Sequence, residues 1–327
     1  MGKKLVVALV AGLAAFARAD ENPPWAKCLC NEPANLPVGT SWAGGELSFT
    51  NRAANGGASF DFAALDAATF DGATIRFADG TITVDSLKFD PTRGLTFVGG
   101  AGTVLKGIAD KSVFDGIARG GAGETVWSNL TFTCDAAVRP VWRNGGAIAI
   151  RGGRFTIADC DFTDCFSEEF GGAVYAPLLT DDSTITNCTF EGGWVSAYNG
   201  YGGAIYASAK TEGLKLTVVD SAFEGNRAGA EGGAIFAIPG DAEDAKAIAL
   251  AITDTEFRDN AAPFGGAISA EGGISLDGKD SVFEGNFAQE SGGAISVRNG
   301  DSLSEDPVIE FAIGRGVRFV GNVVSND

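Results

Sequence analysis

Phe223-Glu-Gly-Asn-Arg-Ala-Gly-Ala-Glu-Gly-Gly-Ala-Ile-Phe-Ala237 is the stretch that decides the fold, because both of its halves recur along the chain. The second half, Gly-Gly-Ala followed by Ile or Val, starts at Gly145, Gly171, Gly202, Gly232, Gly265 and Gly292. The spacings are 26, 31, 30, 33 and 27 residues. A period near 30 that stretches and shrinks suits a β-solenoid, whose coils absorb loops of different length outside the stack; a helical repeat keeps its length. The first half runs in step with it. Phe132, Phe162, Phe190, Phe223, Phe257, Phe283 and Phe319 each close a short strand-like run. Three residues earlier stands Asn129, Asp159, Asn187, Asp220, Asp254 or Asp280, and three residues after the later ones stands Asn226, Asn260, Asn286 or Asn322.

Asn and Asp tolerate left-handed backbone and bond their own turns, so both sets are expected at corners between short strands, with Gly-Gly at a third corner. Within Ala204-Ile-Tyr-Ala207, alternation turns Ile205 and Ala207 to one face. Ile148, Val174, Ile235, Ile268 and Ile295 hold the equivalent position. Stacked on successive coils they form an aliphatic ladder, with phenylalanines on another wall. No coil could bury these faces alone. The expected fold is therefore all-β, a single-stranded parallel β-helix.

Gly-Gly-Ala-Ile alternating with Phe-x-x-Asn resembles the repeat pair of the chlamydial polymorphic membrane protein family, over about residues 127 to 322. The resemblance is strongest at Phe223-Glu-Gly-Asn226, Gly232-Gly-Ala-Ile235 and Phe283-Glu-Gly-Asn286. It implies a right-handed parallel β-helix of the kind that forms autotransporter passengers, displayed on the outer membrane. The motifs themselves are structural, so they speak for the fold and not for an activity.

Residues 61–126 lack Gly-Gly-Ala-Ile but alternate in short runs, as in Thr74-Ile-Arg-Phe77 and Thr81-Ile-Thr-Val84. Gly99-Gly-Ala-Gly-Thr-Val-Leu-Lys-Gly107 resembles the opening coils of pectate-lyase-like β-helices. These residues are expected to be degenerate coils of one β-helix domain spanning 61–327, with repeats over 127–327 and residues 20–60 as an N-terminal cap over an otherwise open solenoid end. About ten coils at ~4.8 Å each give a rod on the order of 50 Å long. Residues 1–19 form an export signal: Lys3 and Lys4 precede an apolar run from Leu5 to Phe16, and Ala17-Arg18-Ala19 is a small-x-small cleavage site. That run is too short to span a bilayer. The sequence ends at Asp327 without the alternating segments of a membrane barrel, so either it is a fragment or it is released without its own translocator.

The chain has 327 residues, with 24 basic and 42 acidic side chains and a formal net charge of −18. Cleavage after Ala19 would remove Lys3, Lys4, Arg18 and no acid, deepening the charge to −21. Such a surface repels nucleic acid and anionic membranes. The six cysteines of an exported chain permit disulfides. Cys160 and Cys188 share a column that admits either a bridge or two buried thiols, whereas Cys134 and Cys165, near a shared corner after Phe132 and Phe162, are the better disulfide candidates. There is no His, and the cysteine spacing matches no zinc pattern.

Tyr175, Tyr206 and Phe236 occupy the position just after the inward Ile or Val on three successive coils. They are the candidate ligand-binding residues. Either they form an outward platform for a glycan or a protein on another cell surface, or they pack under the loops that follow them. No cofactor is expected. Asp159, Asp161, Asp164, Asp181 and Asp182 offer carboxylates that could take Ca²⁺, against their ordinary use as turn and surface residues. The expected function is an adhesin-like, secreted or surface-displayed binder. The alternative is a carbohydrate-active β-helix enzyme, with Asp159, Asp161 and Arg151 lining a groove. The Gly-His-Gly and Arg-x-Lys elements of polygalacturonases are absent. Asn129-Leu-Thr131 and Asn187-Cys-Thr189 match the glycosylation acceptor pattern but coincide with repeat corners.

Overall fold

The computed structural model describes residues 6–9, 40–43, 46–49, 58–61, 72, 74–77, 79–107, 111–118, 123–134, 144–196, 198–237, 248–271, 273–278, 280–297 and 311–325. Their architecture is a parallel β-solenoid. One coil shows the plan. Ser183–Thr186 belongs to a first wall, a sheet of ten parallel strands. The chain turns at Asn187 into Thr189–Glu191 on the phenylalanine wall, crosses the short strand Trp194–Val195, and turns at Gly202-Gly203 into Ile205–Ala209 on the Gly-Gly wall. It then re-enters the first wall at Lys215–Val219, which pairs in parallel with Ser183–Thr186. At about 4.8 Å per strand, the ten-stranded first wall spans roughly 43 Å.

The stretch before the Gly-Gly repeats stacks in the same walls. The long strand Gly80–Phe89 serves two of them: Gly80–Val84 pairs with Thr103–Gly107, and Leu87–Phe89 with Phe114–Gly116. Thr40–Ala43 and Glu46–Phe49 pair as an antiparallel hairpin within the segment expected to be a cap. Val6–Leu9, from the expected export signal, lies parallel to Thr74–Phe77 at the edge of the first wall. The rest of residues 1–57 lies outside the described residues.

Three inward ladders fill the core. The first wall contributes Trp127, Ile157, Ile185, Val218, Ile252 and Leu276, paired in register from coil to coil. The Gly-Gly wall contributes the expected ladder: Ile148, Val174, Ile205, Ile235 and Ile268 are buried, and Ile295, paired with Ile268, is half-buried. The third is a column of rings: Phe132, Phe162, Phe190, Phe223, Phe257, Phe283 and Phe319 stack with centroids 4.5–4.9 Å apart and planes within 12°. Coil spacing and ring-stacking distance nearly coincide, so one register satisfies both the ladder hydrogen bonds and the rings.

The corners divide the work between residue types. Asn129, Asp159, Asn187, Asp220 and Asp254 are left-handed, with φ between 47° and 54°, as expected of the column before each phenylalanine. The asparagines after each phenylalanine do something else. The left-handed residue at that corner comes one position earlier, as Asp164, Gly192, Gly225, Asp259, Gly285 or Gly321. Asn226, Asn260 and Asn286 are instead fully buried and form a ladder with Asn322. Each amide Nδ2 donates to the Oδ1 of the next asparagine at 2.8–2.9 Å. It donates also to the phenylalanine carbonyl one coil back, as Asn260 does to Phe223 O at 3.0 Å. Each of Asn260, Asn286 and Asn322 further accepts a backbone N–H from the asparagine of the preceding coil. These side chains meet their hydrogen-bonding needs inside the core, where an orphaned polar group would be costly.

The two glycines of the third corner answer different demands. The first is left-handed, at φ 57–69° in all six copies. The second sits where coils approach closely: a Cβ on Gly203 would overlap the carbonyl oxygen of Gly233, and one on Gly233 that of Gly266.

Candidate functional site on the Gly-Gly wall

All five residues of Ile205–Ala209 are buried, so this wall is covered on its outer face as well as its inner one. Alternation sends Tyr206 away from the Ile205 ladder, as expected. Register aligns it with Tyr175 on one side and Phe236 on the other, with ring centroids 5.3 and 5.4 Å away. The three do line up, but they are not an open platform. Tyr206 is 4% and Phe236 3% exposed, and only Tyr175 is half-buried.

Part of the cover comes from residues that precede the glycines, which the sequence reading did not single out. Phe170 and Tyr201 sit immediately before Gly171 and Gly202 and pair across coils, with rings 5.7 Å apart and nearly parallel. Because the left-handed glycine folds the chain back on itself, the residue before it lies over the strand after it. Phe170 meets Tyr206 edge-on at 4.9 Å, and Tyr201 meets Phe236 at 4.6 Å. In the next coil that column holds Glu231, buried, whose carboxylate accepts the Ser269 hydroxyl at 2.9 Å. The result is a second, outer aromatic layer on the Gly-Gly wall. Its rim carries Arg151, whose guanidinium lies 5.9 Å from the Tyr175 ring centre and pairs with Asp115.

Two large aromatics on the coil that carries Tyr201 and Tyr206 stand in solvent. Trp194, on the short strand after the phenylalanine wall, is 40% exposed, and Tyr198, in the turn leading to Gly202, is 90% exposed. Nothing in the repeat pattern marks them, since both lie in the variable stretch between motifs.

The candidate carboxylates are dispersed. Asp159 accepts Asn187 Nδ2 at 2.7 Å, Asp181 pairs with Arg154 at 3.2 Å, and Asp182 accepts the Lys215 backbone N–H at 2.8 Å. Among the described residues no three His, Cys, Asp or Glu side chains converge as a metal-holding group. Arg151 ends a Gly-Gly-wall strand, whereas Asp159 and Asp161 lie beyond the far end of the first-wall strand Arg154–Ala158, so these three do not line one groove. Further along, the corner column of Asn187, Asp220, Asp254 and Asp280, with Glu256, lines a shallow acidic groove of about 400 Å³.

Comparison with known proteins adds one match. The Chlamydia polymorphic membrane protein (Chlamydia_PMP) repeat matches residues 220–238 and 280–298. Each segment holds one acidic corner, one ladder phenylalanine, one ladder asparagine and one Gly-Gly turn. No curated protein and no solved structure matches the chain. Among the described residues no helix is long and apolar enough to cross a membrane.

Proposed function

We propose that this chain, which carries Chlamydia polymorphic membrane protein repeats stacked as a parallel β-solenoid, is an exported, surface-displayed binder of a cell-surface protein or glycan. The observation that carries the reading is the exposed pair Trp194 and Tyr198 on a coil whose neighbouring rings are locked into a buried layer. Aromatic faces held in water on a rigid scaffold lose little entropy on binding and stack readily on sugar rings or apolar side chains. Tyr175, half-buried beside Arg151, is a further contact of the same kind, while Tyr206 and Phe236 serve by holding the layer in place. The export signal at residues 1–19 and the strongly acidic composition fit a soluble rod outside the cell.

The test is binding of the full chain to cells and to a broad glycan array. The Trp194→Ala/Tyr198→Ala double variant is expected to bind at least about tenfold more weakly, as befits loss of two contact aromatics, with an unchanged melting temperature. Undiminished binding by the double variant would remove these residues from the site. Cleavage of any glycan on the array would turn the assignment to a carbohydrate-active enzyme.

A further inference from the structure

Two columns of the stack change character at the same place. Two residues before the ladder phenylalanine, the later coils hold Ser221, Thr255 and Ser281. The Ser221 and Thr255 hydroxyls donate to carbonyls of their own coil, Val219 O and Thr253 O, at 2.8 Å. All three accept a backbone N–H from the coil before, from Cys188, Ser221 and Thr255 respectively. In the two coils just before these, after one that holds Leu130, the column holds Cys160 and Cys188. Their thiols take the same orientation as the hydroxyls, donating to Ala158 O and Thr186 O, both at 3.2 Å. Those are also coils without a ladder asparagine: Cys165 and Gly193 stand where Asn226 and its successors stand later.

Register sets the two cysteines face to face. Asp161 pairs with Thr189, and the Thr189 N–H donates to Cys160 O at 3.0 Å. One coil step of about 4.8 Å lies inside the Cα separation a disulfide spans, about 4.4–6.8 Å. Both residues are buried, 1% and 3% exposed, and, like Cys134 and Cys165, both stand as free thiols in this structure. We infer that Cys160 and Cys188 form a disulfide between adjacent coils, a covalent staple in coils that hold no ladder asparagine of their own. The two S–H bonds break and one Sγ–Sγ bond forms. Two electrons and two protons pass to a disulfide oxidant, such as the oxidised form of a thiol–disulfide oxidoreductase or glutathione disulfide, which leaves as the dithiol or as two thiols. Burial, and then the contact with Cys188, push the Cys160 thiol well above its ordinary pKa. Thiolate is therefore scarce once the fold is complete, so the bond forms as the coils close and afterwards resists exchange.

The full chain, refolded with glutathione disulfide, alkylated in denaturant and digested without reductant, is the sample that decides. A peptide pair joined through Cys160 and Cys188, abolished by reduction, is the expected product. Recovery of both residues as alkylated thiols, or joined to other cysteines, would overturn the inference. Because the oxidant is supplied, the outcome is independent of whether the chain is exported. Cys188→Ser introduces a residue the same column already accepts at Ser221 and Ser281. It is expected to melt roughly 5–10 °C below the oxidised parent and together with the reduced parent. Equal melting of oxidised parent and variant would also count against the staple, and if the variant does not fold, the peptide map of the parent still decides.

Discussion

Gly233→Ala is expected to be among the most damaging single substitutions in the chain, costing about 3–5 kcal/mol. The added Cβ would overlap the carbonyl oxygen of Gly266 in the next coil and crowd the backbone of Ala261. All of these neighbours are backbone atoms of the stack, so no flexible side chain can swing away, and relief requires parting two coils. Gly225→Ala supplies the contrast. Gly225 is left-handed, with φ 65°, but nothing lies within 4 Å of its would-be Cβ, so only the backbone preference is lost, roughly 1–2 kcal/mol. Urea unfolding of the two variants checks the pair, and equal losses would refute close coil approach as the reason for the second glycine. Hydrogen exchange should show the Gly233→Ala damage centred on the coils either side of residue 233, because a solenoid couples only neighbours.

Asn260→Ala is expected to cost a similar amount, about 3–5 kcal/mol, from a side chain that contributes no apolar surface. It removes the donors to Phe223 O and Asn286 Oδ1, and the acceptor shared by the Asn226 backbone N–H and Nδ2. Each partner is left in a dry core without its hydrogen bond. Asn322→Ala should cost distinctly less, since that side chain is only half-buried and serves the last described coil. Asn260→Asp separates shape from hydrogen bonding. A carboxylate facing two carbonyl-type oxygens in the core is held protonated, so its folded pKa lies above its unfolded one. Its stability is then greatest at acid pH and falls as pH rises through the folded pKa. A variant whose stability is independent of pH between about 4 and 8 would argue that Asn260 is solvated rather than laddered.

Much of this fold was legible because its repeat encodes geometry one residue at a time. Gly-Gly marks a corner whose backbone allows nothing else, Phe every coil marks a column of rings, and Asp159 or Asp220 marks a left-handed turn. The asparagines were legible as a column but not as a ladder. Asn serves a left-handed corner and a buried hydrogen-bonded stack equally well, and only the neighbour at the position before it, such as Gly225 or Asp259, shows that the corner is already taken. The outer layer was half legible: alternation aimed Tyr175, Tyr206 and Phe236 outward. What covers them, Phe170 and Tyr201, sits on the far side of a turn that places sequence neighbours back to back. Trp194 and Tyr198 fall between motifs, where the pattern says nothing about exposure.

The central claim is that residues far apart in sequence sit one above another at coil spacing. Thr133, Thr163, Glu191, Glu224, Arg258 and Glu284 form one outward column, paired step by step along the phenylalanine wall. Pulsed electron–electron resonance between spin labels carried on keto-bearing unnatural residues at positions 133 and 284 measures that column directly without involving the native cysteines. Five coil steps place the labelled backbones about 24 Å apart, and moving the first label to position 163 should shorten the distance by about 5 Å. Equal distances for the two pairs, or a separation far beyond that range, would contradict the stacked register on which the whole account stands.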